Sequence, residues 1–521
     1  MSDATFLYSM IRWAFDFTAG IFYATTEVHG MENIPSAGVP TIICFNHGNG
    51  LGDPVVLIRK TPRMVRFCAK DSLWQAAGFK YFIRNSGAVP VYRARDHGDK
   101  AKDLNLQVFS KVIAALREGD CLGFAPEGVS RFLPYMEQPL KTGVARIALD
   151  AVQQVLAEKG SKDFVVHLVP VGLVFTHREK FRSDLCMRYC PPIKVDHAYL
   201  ESHGGDTRAA ATAITHSLNE ALESVTINAP DWETTRLAMT ASRLHRPVGT
   251  DLALGQYLTG VRGWVEVLKN DGGLKGGTVA PLRQALTAYQ DLLDEKKIKC
   301  ERVRRASVQG GQALPWYWCL WGMSQRLASC SLLFALAAPG LLLWMPMWLY
   351  VKKQERYLLS KGPRWNDSVA EMKMLTSGCL CIFVACICVP CAALYLRSLY
   401  PLLLPPWLYL TMRCYEEAVA DARSAYSLYK LLFLTPATMG RMVELRAKAK
   451  AAMDPAIALL PPGVVDHVHE AAEKVVPKTS TLDYYFPWWA ARIFMLISRR
   501  GKKDWNEVLR LNDVPTMDYV R

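Results

Sequence analysis

Between residues 27 and 225, segments with apolar residues at helical spacing alternate with short runs of apolar residues. Apolar side chains recur at helical spacing through residues 97–118, where Leu104, Val108 and Val112 fall on one face. Short apolar, β-branched runs predict five strands, at residues 41–45, 64–68, 88–92, 121–125 and 164–175. The alternation predicts an α/β domain in which a mixed sheet is flanked by helices. In such domains the functional loops gather at strand ends along one edge of the sheet.

The first 26 residues are rich in aromatic and aliphatic side chains, and Arg12 and Asp16 lie four apart on one helical face. A signal peptide begins with basic residues and runs uncharged to a small-residue cleavage site, which this segment does not do. Residues 1–26 are therefore predicted to form a helix. Two placements stay open: a helix that lies in or dips into a membrane interface, and an ordinary core helix.

Long apolar runs mark the second half of the chain, after a largely polar and helical region at residues 226–320. Residues 327–351 give 25 positions without charge and residues 374–396 give 23 more. Each run exceeds the roughly 20 residues that cross a bilayer as a helix. A shorter run at 398–412 carries three prolines and is predicted to be re-entrant or interfacial. Residues 321–412 are therefore predicted to be embedded in a membrane, although the flanking basic residues do not fix their orientation.

The C-terminal region, residues 413–521, is predicted to be helical and to end in a membrane-surface anchor. Aromatic residues at 484–489 precede an apolar run at 493–497 and basic residues at 499–503. This order is typical of a segment that lies on anionic lipid.

Composition supports a globular body joined to membrane segments. The chain has 521 residues, half of them hydrophobic, and a net charge of +14. That charge favours anionic partners: nucleic acid, an acidic lipid surface or phosphorylated substrates. No zinc-finger, helix-turn-helix or RNA-binding signature accompanies it, which disfavours nucleic acid. The fourteen cysteines include five within the apolar run 374–396 and form no paired C-x-x-C set, so neither a metal site nor a disulfide scaffold is predicted.

The first stretch with candidate chemistry joins the strand at 41–45 to a glycine-rich loop. Asn46-His47 follows the strand, and the loop closes at Asp53-Pro54, a typical helix start. A carboxylate within one loop of a histidine can hold one ring nitrogen, fix the tautomer and raise the basicity of the imidazole. The alternative is a histidine packed in a turn, with Asp53 serving only as a helix cap.

Two further stretches place polar groups at predicted strand ends. Arg93 and Arg95 alternate after the strand at 88–92, and their planar guanidinium groups suit a phosphate dianion. After the strand at 121–125, Pro126-Glu127-Gly128 forms a tight turn that exposes backbone amides beside a carboxylate, so that Glu127 would orient a substrate hydroxyl and the amides would hold an oxyanion. The alternatives are a solvated salt bridge and a simple β-turn.

A fourth stretch, the apolar strand around Pro170, has no reactive group. It is predicted either to line an apolar channel or to be ordinary core.

Taken in order, these stretches resemble the four motif blocks of the glycerolipid (PlsC-like) acyltransferases: N-H-x4-D, G-x-I-P-V-x-R, F-P-E-G-x-S and a V-P-V strand. The resemblance covers roughly residues 27–225. Five residues rather than four separate His47 from Asp53, and Ala125 replaces the usual phenylalanine before Pro-Glu-Gly. The H-x5-D-P block is similar to the fungal and protist branch of glycerol-3-phosphate and dihydroxyacetone-phosphate 1-O-acyltransferases, in which membrane segments follow the catalytic domain.

The resemblance implies an enzyme that transfers an acyl group from acyl-CoA to the sn-1 hydroxyl of glycerol 3-phosphate, with dihydroxyacetone phosphate as a further acceptor. The product is lysophosphatidate, in the first step of glycerolipid synthesis. It implies a multi-pass protein of the endoplasmic reticulum membrane whose active site faces the cytosol and membrane lipid. Acyl-CoA is a co-substrate, and no cofactor or metal is expected.

The resemblance also assigns roles to residues. His47 and Asp53 would be catalytic. The substrate would be bound by a second set of residues: Asn46, Arg93, Arg95, Glu127, Gly128, Ser130 and Pro170.

Three other functions remain open at this point. The chain could acylate lysophosphatidate at sn-2, which the H-x5-D spacing disfavours. It could be an inactive membrane scaffold, although His47, Asp53, Arg93 and Glu127 are all present. A module that binds nucleic acid or anionic lipid would account for the charge but not for the ordered motifs.

Overall fold

The structure of the chain is a computed structural model. It describes residues 3–71, 74, 83, 86–92, 94–98, 100–131, 133–176, 183–246, 252–269, 276–298, 300, 302–304, 315–360, 366–461 and 463–464. The described strands are β1 (Tyr23–His29), β2 (Thr41–Phe45), β3 (Val65–Lys70), β4 (Val89–Val91), β5 (Cys121–Phe124), β6 (Val166–Phe175), β7 (Ser183–Tyr189) and β8 (Ile193–Val195).

Helices surround and follow these strands. In chain order they are α1 (Asp3–Phe22), α2 (Gly52–Lys60), α3 (Ala94–His97), α4 (Lys100–Arg117), α5 (Gly143–Lys159), α6 (His197–Ser202), α7 (Thr207–Glu223), α8 (Trp232–His245), α9 (Leu254–Lys269), α10 (Gly276–Lys296), α11 (Trp316–Ser360), α12 (Asn366–Phe383), α13 (Val389–Tyr395), α14 (Leu404–Leu432) and α15 (Pro436–Ile457).

Contacts divide the chain into two compact units. Unit 1 comprises residues 1–228 together with 354–382, and unit 2 comprises 229–353 together with 383–521. The sequence predicts a catalytic domain over residues 27–225 and a membrane region over 321–412, and the second of these includes residues 354–382. These residues join unit 1 because α12 packs on it: Met374 is 2% exposed and lies in the same hydrophobic cluster as Phe22 and Val55.

The sheet of unit 1 is mixed, as predicted, with strand order β1-β7-β6-β2-β5-β3-β4 and β8 beside β6. Strand β2 is parallel to both β5 and β6, and β3 is parallel to β5 and β4. Strand β6 turns back antiparallel into β7. The carboxyl ends of β2, β5, β3 and β4 therefore meet at one edge.

Alternate residues of β2 enter two different hydrophobic clusters, one on each face of the sheet. Ile42 and Cys44 pack with α4, α5 and α7, whereas Ile43 and Phe45 pack with α1 and α2. All five residues of the strand are buried, which is typical of a parallel strand covered on both faces. Strand β2 thus aims the residues that follow it at a fixed point beside α2.

All five predicted strands are present, and the structure adds β1, β7 and β8. The helix predicted over residues 1–26 ends at Phe22, and the chain continues as β1. One face of α1 enters the core through Tyr8 and Phe22, while Phe6 and Trp13 on the other face are exposed.

Unit 2 holds a helical core, most of α11 and the part of the second apolar stretch that follows residue 382. The core is built on aromatic residues of α9 and α10, among them the fully buried Trp264, Tyr257 and Tyr289. Helix α14 is fixed to α11 by Asp421, whose carboxylate oxygens accept hydrogen bonds from Arg326 and Ser329, each at 2.6 Å.

Two helical segments are long and apolar enough to cross a membrane, Trp316–Ser360 and Val369–Tyr395. The first contains the run predicted at 327–351, and the second contains all but the last residue of the run predicted at 374–396. Large apolar side chains of Trp316–Ser360 are mostly exposed, as in Leu342 at 66%, whereas in Val369–Tyr395 the exposed ones lie towards the C-terminal end, as in Tyr395 at 88%. The predicted anchor at 484–503 lies outside the described residues.

Candidate active site

The site forms where β2 and β5 end side by side. Cys44 pairs with Phe124 in the parallel ladder, so the segments that leave the two strands start at the same level of the sheet edge. His47 follows the end of β2 by two residues, and Glu127 follows the end of β5 by three. The backbone N–H of His47 donates to Glu127 Oε1 at 2.5 Å. Sheet topology therefore joins two segments that are 80 residues apart.

His47 and Asp53 form the predicted pair. Nδ1 of His47 lies 3.0 Å from Oδ2 of Asp53, and Asp53 is completely buried while the His47 side chain is 18% exposed. Helix α2 begins at Gly52, so Asp53 lies in its first turn rather than at the cap position. The same Oδ2 accepts the backbone N–H of Asn49 at 2.9 Å, which closes the loop on the carboxylate. This arrangement assigns the proton of neutral His47 to Nδ1 and leaves Nε2 as the basic nitrogen.

The surroundings raise the pKa of the His47 imidazole above its ordinary value. Burial alone lowers this pKa, but the hydrogen bond and charge of Asp53, with the charges of Glu127 and Glu371, outweigh that effect. Carboxylates therefore stabilise the imidazolium that forms when His47 accepts a proton.

Glu127 is nearly buried and ties the two loops together. Its Oε1 accepts the N–H of His47, and its Oε2 accepts the N–H of Glu137 at 2.8 Å. Burial raises the pKa of Glu127, which these two backbone hydrogen bonds and the charge of His47 oppose. Both carboxylate oxygens thus have protein donors, which the sequence did not predict. Through these contacts Glu127 positions His47.

A protein-family model also matches the segment that contains these residues. The model of the Acyltransferase family matches residues 25–174, a range that contains His47, Asp53 and Glu127. The chain contains an acyltransferase-family domain. The resemblance inferred from the motif blocks is therefore confirmed for this domain.

Curated relatives resemble more of the chain than the acyltransferase domain alone. Glycerol-3-phosphate O-acyltransferase 2 of Saccharomyces cerevisiae is 25% identical over 483 residues, covering 72% of this chain and 63% of its own length. Glycerol-3-phosphate O-acyltransferase 1 of the same yeast is 28% identical over 352 residues, covering 65% of this chain and 42% of its own. The chain therefore spans less than two thirds of either relative.

A solved structure also resembles part of the chain. The 1-acyl-sn-glycerophosphate (LPA) acyltransferase of Thermotoga maritima matches 42% of this chain and 83% of its own, at 18% identity and a TM-score of 0.31.

Asn46 bridges two strands of the acyltransferase domain. Its side-chain amide donates to the Leu173 carbonyl at 3.0 Å, and its Oδ1 accepts the Leu173 N–H at 2.7 Å. The side chain thus extends the pairing of β2 with β6 by one more rung. The predicted substrate contact of Asn46 stays a prediction, whereas its hold on the strand that carries His47 is visible.

The Pro-Glu-Gly turn has the expected form in the acyltransferase domain. Gly128 has φ +73°, which favours glycine, and its N–H donates to the Ala125 carbonyl at 3.0 Å. The side chain of Lys141 packs so closely over Gly128 that a Cβ there would overlap it. Ser130 follows the turn and is half-buried. Because the Gly128 amide already has an acceptor, it is not available to an oxyanion in this conformation.

Pro170 lies inside the acyltransferase sheet, paired with Cys44 of β2 in the register of β6. It is buried, and its carbonyl accepts the N–H of Cys190 at 2.8 Å. These contacts place it in the core beneath the site.

Strand β4 ends at the same sheet edge. The two predicted phosphate ligands follow it in the sequence. Arg93 lies outside the described residues. Arg95 belongs to α3, whose placement is described while the Arg95 side chain is not. His97 fixes this short helix, since its Nε2 lies 2.9 Å from Oδ2 of Asp71 at the end of β3.

Glu371 is the contact to the catalytic loop that sequence patterns missed. It lies at the start of an apolar run, 318 positions after Asp53, and its Oε1 accepts the N–H of Leu51 at 2.6 Å. The only local signal is a carboxylate next to a candidate membrane segment.

Proposed function

We propose that the acyltransferase domain transfers an acyl group from acyl-CoA to the sn-1 hydroxyl of glycerol 3-phosphate and releases CoA and lysophosphatidate. The observation that carries the proposal is the hydrogen bond of His47 Nδ1 to buried Asp53, which leaves Nε2 as a base at the sheet edge. The two yeast relatives, which carry the name glycerol-3-phosphate O-acyltransferase, support this choice of acceptor.

The reaction needs one proton acceptor and one good leaving group. Nε2 of His47 removes the proton of the sn-1 hydroxyl as the oxygen attacks the thioester carbon of acyl-CoA. The new C–O bond forms, the tetrahedral intermediate collapses, and the C–S bond breaks. The CoA thiolate then takes the proton from the imidazolium, which Asp53 has stabilised meanwhile. Attack is direct because the motif set holds no activated serine or cysteine.

The oxyanion of the intermediate requires backbone donors near His47. The amides of Asn49 and Leu51 already bind Asp53 and Glu371. Within the part of the chain that the structure describes, the N–H groups of Gly48 and Gly50 have no acceptor. We therefore assign the oxyanion to these two amides, where loss of one such donor costs about 3–4 kcal/mol in other enzymes.

The substrate phosphate would be held at the end of β4 by Arg93, with Arg95 beside it. Strand β4 is three strands away from β2 in the sheet order, which is about 14 Å at ordinary strand spacing. In this proposal one glycerol phosphate would bridge the distance between the guanidinium of Arg93 and the imidazole of His47. Ser130, on the loop after the intervening strand β5, would face the same space.

The apolar helices support a reaction at a membrane. Few residues of α11 or of the apolar part of Val369–Tyr395 are buried, and α11 exposes many large apolar side chains, as expected where lipid covers them. We propose a multi-pass protein of the endoplasmic reticulum membrane with its active site on the cytosolic face. Membrane lipid would receive the acylated product, and dihydroxyacetone phosphate would serve as a second acceptor. No metal or cofactor enters the mechanism.

The test is an acceptor panel on membranes that contain the full chain. Acyl transfer from acyl-CoA is measured to glycerol 3-phosphate, dihydroxyacetone phosphate and 1-acylglycerol 3-phosphate. We expect kcat/KM to be highest for glycerol 3-phosphate. A preference for 1-acylglycerol 3-phosphate would assign sn-2 acylation instead, and no transfer to any acceptor would leave a membrane scaffold.

His47→Ala tests the base in the same assay. We expect kcat to fall by about 10²–10⁴-fold, the usual contribution of a general base. His29→Ala is the matched control, since Nε2 of His29 also pairs with a carboxylate, Glu27 Oε1 at 2.6 Å, away from the site on β1. Activity of the His47→Ala protein within severalfold of the control would remove His47 as the base.

A further inference from the structure

We propose that Glu371 is a positioning residue of this active site, so that the segment entering the second apolar run forms part of the acyltransferase domain. The catalytic role of the loop rests on the function proposed above. The placement of Glu371 against that loop does not.

The contact between Glu371 and the loop is direct. Its Oε1 accepts the Leu51 N–H at 2.6 Å, in the turn that leads into α2 and Asp53. The same carboxylate lies so close to Gly50 that a Cβ there would overlap it. Residues 50 and 51 lie between His47 and Asp53. A group that fixes them also fixes the distance between the base and its partner.

Glu371 is itself held in place by the packing of α12 on unit 1. Met374, one turn further, is 2% exposed in the cluster formed by α1, α2 and the sheet. Gly378, two turns further, abuts Thr18 of α1 without room for a Cβ. Lys373 pairs with Glu355 at 2.6 Å, both side chains being 15% exposed. Glu371 is therefore carried by an anchored helix.

Three carboxylates act on the His47 imidazole, each from a different element. Asp53 belongs to α2, Glu127 to the turn after β5 and Glu371 to α12, and each charge raises the imidazole pKa. Asp53 and Glu127 are each bound within the catalytic domain core. Glu371 alone comes from the distant chain segment, so its removal separates the contribution of α12 from that of the other two.

Two substitutions distinguish the hydrogen bond from the charge. Glu371→Gln keeps an oxygen that accepts the Leu51 N–H but removes the charge. Glu371→Ala removes both. We expect kcat to fall about tenfold in Glu371→Ala, since one net hydrogen bond of about 1.4 kcal/mol corresponds to that factor. We expect Glu371→Gln to keep kcat within about twofold at a pH where His47 is neutral.

The effect of the Glu371 charge on the pKa of His47 is measured without the acyl-transfer assay. Diethyl pyrocarbonate modifies neutral imidazole, and mass spectrometry of the His47 peptide gives the modification rate against pH. The midpoint should move to lower pH in both Glu371 variants, because a carboxylate that favours the imidazolium has been lost. Glu158→Gln is the control: it removes a carboxylate that accepts a hydrogen bond from Arg117, away from the loop and from α12, and its midpoint should match the unmodified chain.

An unchanged midpoint in Glu371→Gln, or full kcat in Glu371→Ala, would overturn the proposal. If no acceptor is acylated by the unmodified chain, the proposed function fails while the labelling still decides whether Glu371 acts on His47. If Glu371→Ala does not fold, Glu371→Gln carries the test.

Discussion

His47 is oriented from both its side chain and its backbone. Asp53 holds Nδ1, and Glu127 holds the backbone N–H. A base fixed in this way needs little reorganisation when it accepts a proton, which is how preorganised sites lower a barrier. The surrounding carboxylates then set the pH at which the base is neutral.

The pH dependence of kcat/KM should report the pKa of His47. The base acts only when neutral, and its pKa is raised above the ordinary value of 6.5, so activity should fall as the pH drops through a value above 6.5. Asp53→Asn removes the main contributions that raise this pKa. We expect its acid limb to move to lower pH and its kcat to fall by about 10²–10⁴-fold as the tautomer is lost.

Profiles of kcat/KM between acidic and alkaline pH provide the measurement. Asp196→Asn serves as control, because Asp196 caps α6 through the Tyr199 N–H and has no histidine partner on this site. An acid limb that stays in place or moves to higher pH in Asp53→Asn would show that His47 is not the titrating base.

At the residue scale, the sequence predicted what lies within one loop. The His47–Asp53 pair was found because six positions of chain fix its geometry. Glu127 was identified by its turn, but its partners were not, because a hydrogen bond to a backbone N–H 80 residues away leaves no mark on local spacing. Glu371 was missed for the same reason, with no motif to indicate it.

At the scale of the elements, the end of the β2–β6 ladder fixes the start of the catalytic loop. The side chain of Asn46 continues the ladder where the backbone of β2 turns away. This rung fixes the residue before His47, so the direction in which the catalytic loop leaves the sheet depends on it.

Asn46→Ala should therefore lower both stability and activity. It leaves the N–H and the carbonyl of Leu173 without partners, which should cost about 1–3 kcal/mol of unfolding free energy. Asn46→Asp retains the acceptor for the Leu173 N–H and should fall between. The midpoint of thermal denaturation in detergent, with kcat and KM, gives the measurement.

Asn219→Ala is the matched control, because Asn219 bonds only Glu223 of its own helix among the described residues. A rise in KM for glycerol 3-phosphate at unchanged stability would instead make Asn46 a substrate ligand.

The elements that sequence analysis found are the buried ones. Strand β2 is apolar at four of five positions and covered on both faces, so its pattern is strong. Strand β1, with the sequence YATTEVH, is a half-exposed edge strand. Its polar residues give no apolar run, and it directly follows an apolar helix, so the sequence pattern does not indicate a strand there. Its assignment depends on pairing with β7, which no local pattern records.

At the scale of the whole molecule, exposed apolar surface on the long helices favours association with a membrane. Leu342 and Leu343 on α11 are 66% and 60% exposed. Contiguous exposure of this kind marks contact with lipid or a partner, and the uncharged run 327–351 within α11 is long enough to span a bilayer.

We expect the full chain to stay with membranes after an alkaline carbonate wash and to dissolve in detergent. Recovery in the carbonate supernatant would contradict insertion. The double variant Leu342→Lys, Leu343→Lys should be partly released, because each lysine costs about 2.5–3.5 kcal/mol near the centre of a membrane helix. Leu342→Ile, Leu343→Ile retains the apolar surface and serves as control.

Unit 1 is assembled from two stretches of chain with residues 229–353 between them. During synthesis the ribosome therefore releases residues 1–228 well before the helix that completes their fold. Throughout that interval the nascent domain lacks the partner of Leu51 and the side chain of Met374. Its folding can finish only after α11 has left the exit tunnel, so the first of the two apolar helices emerges before the catalytic loop is complete.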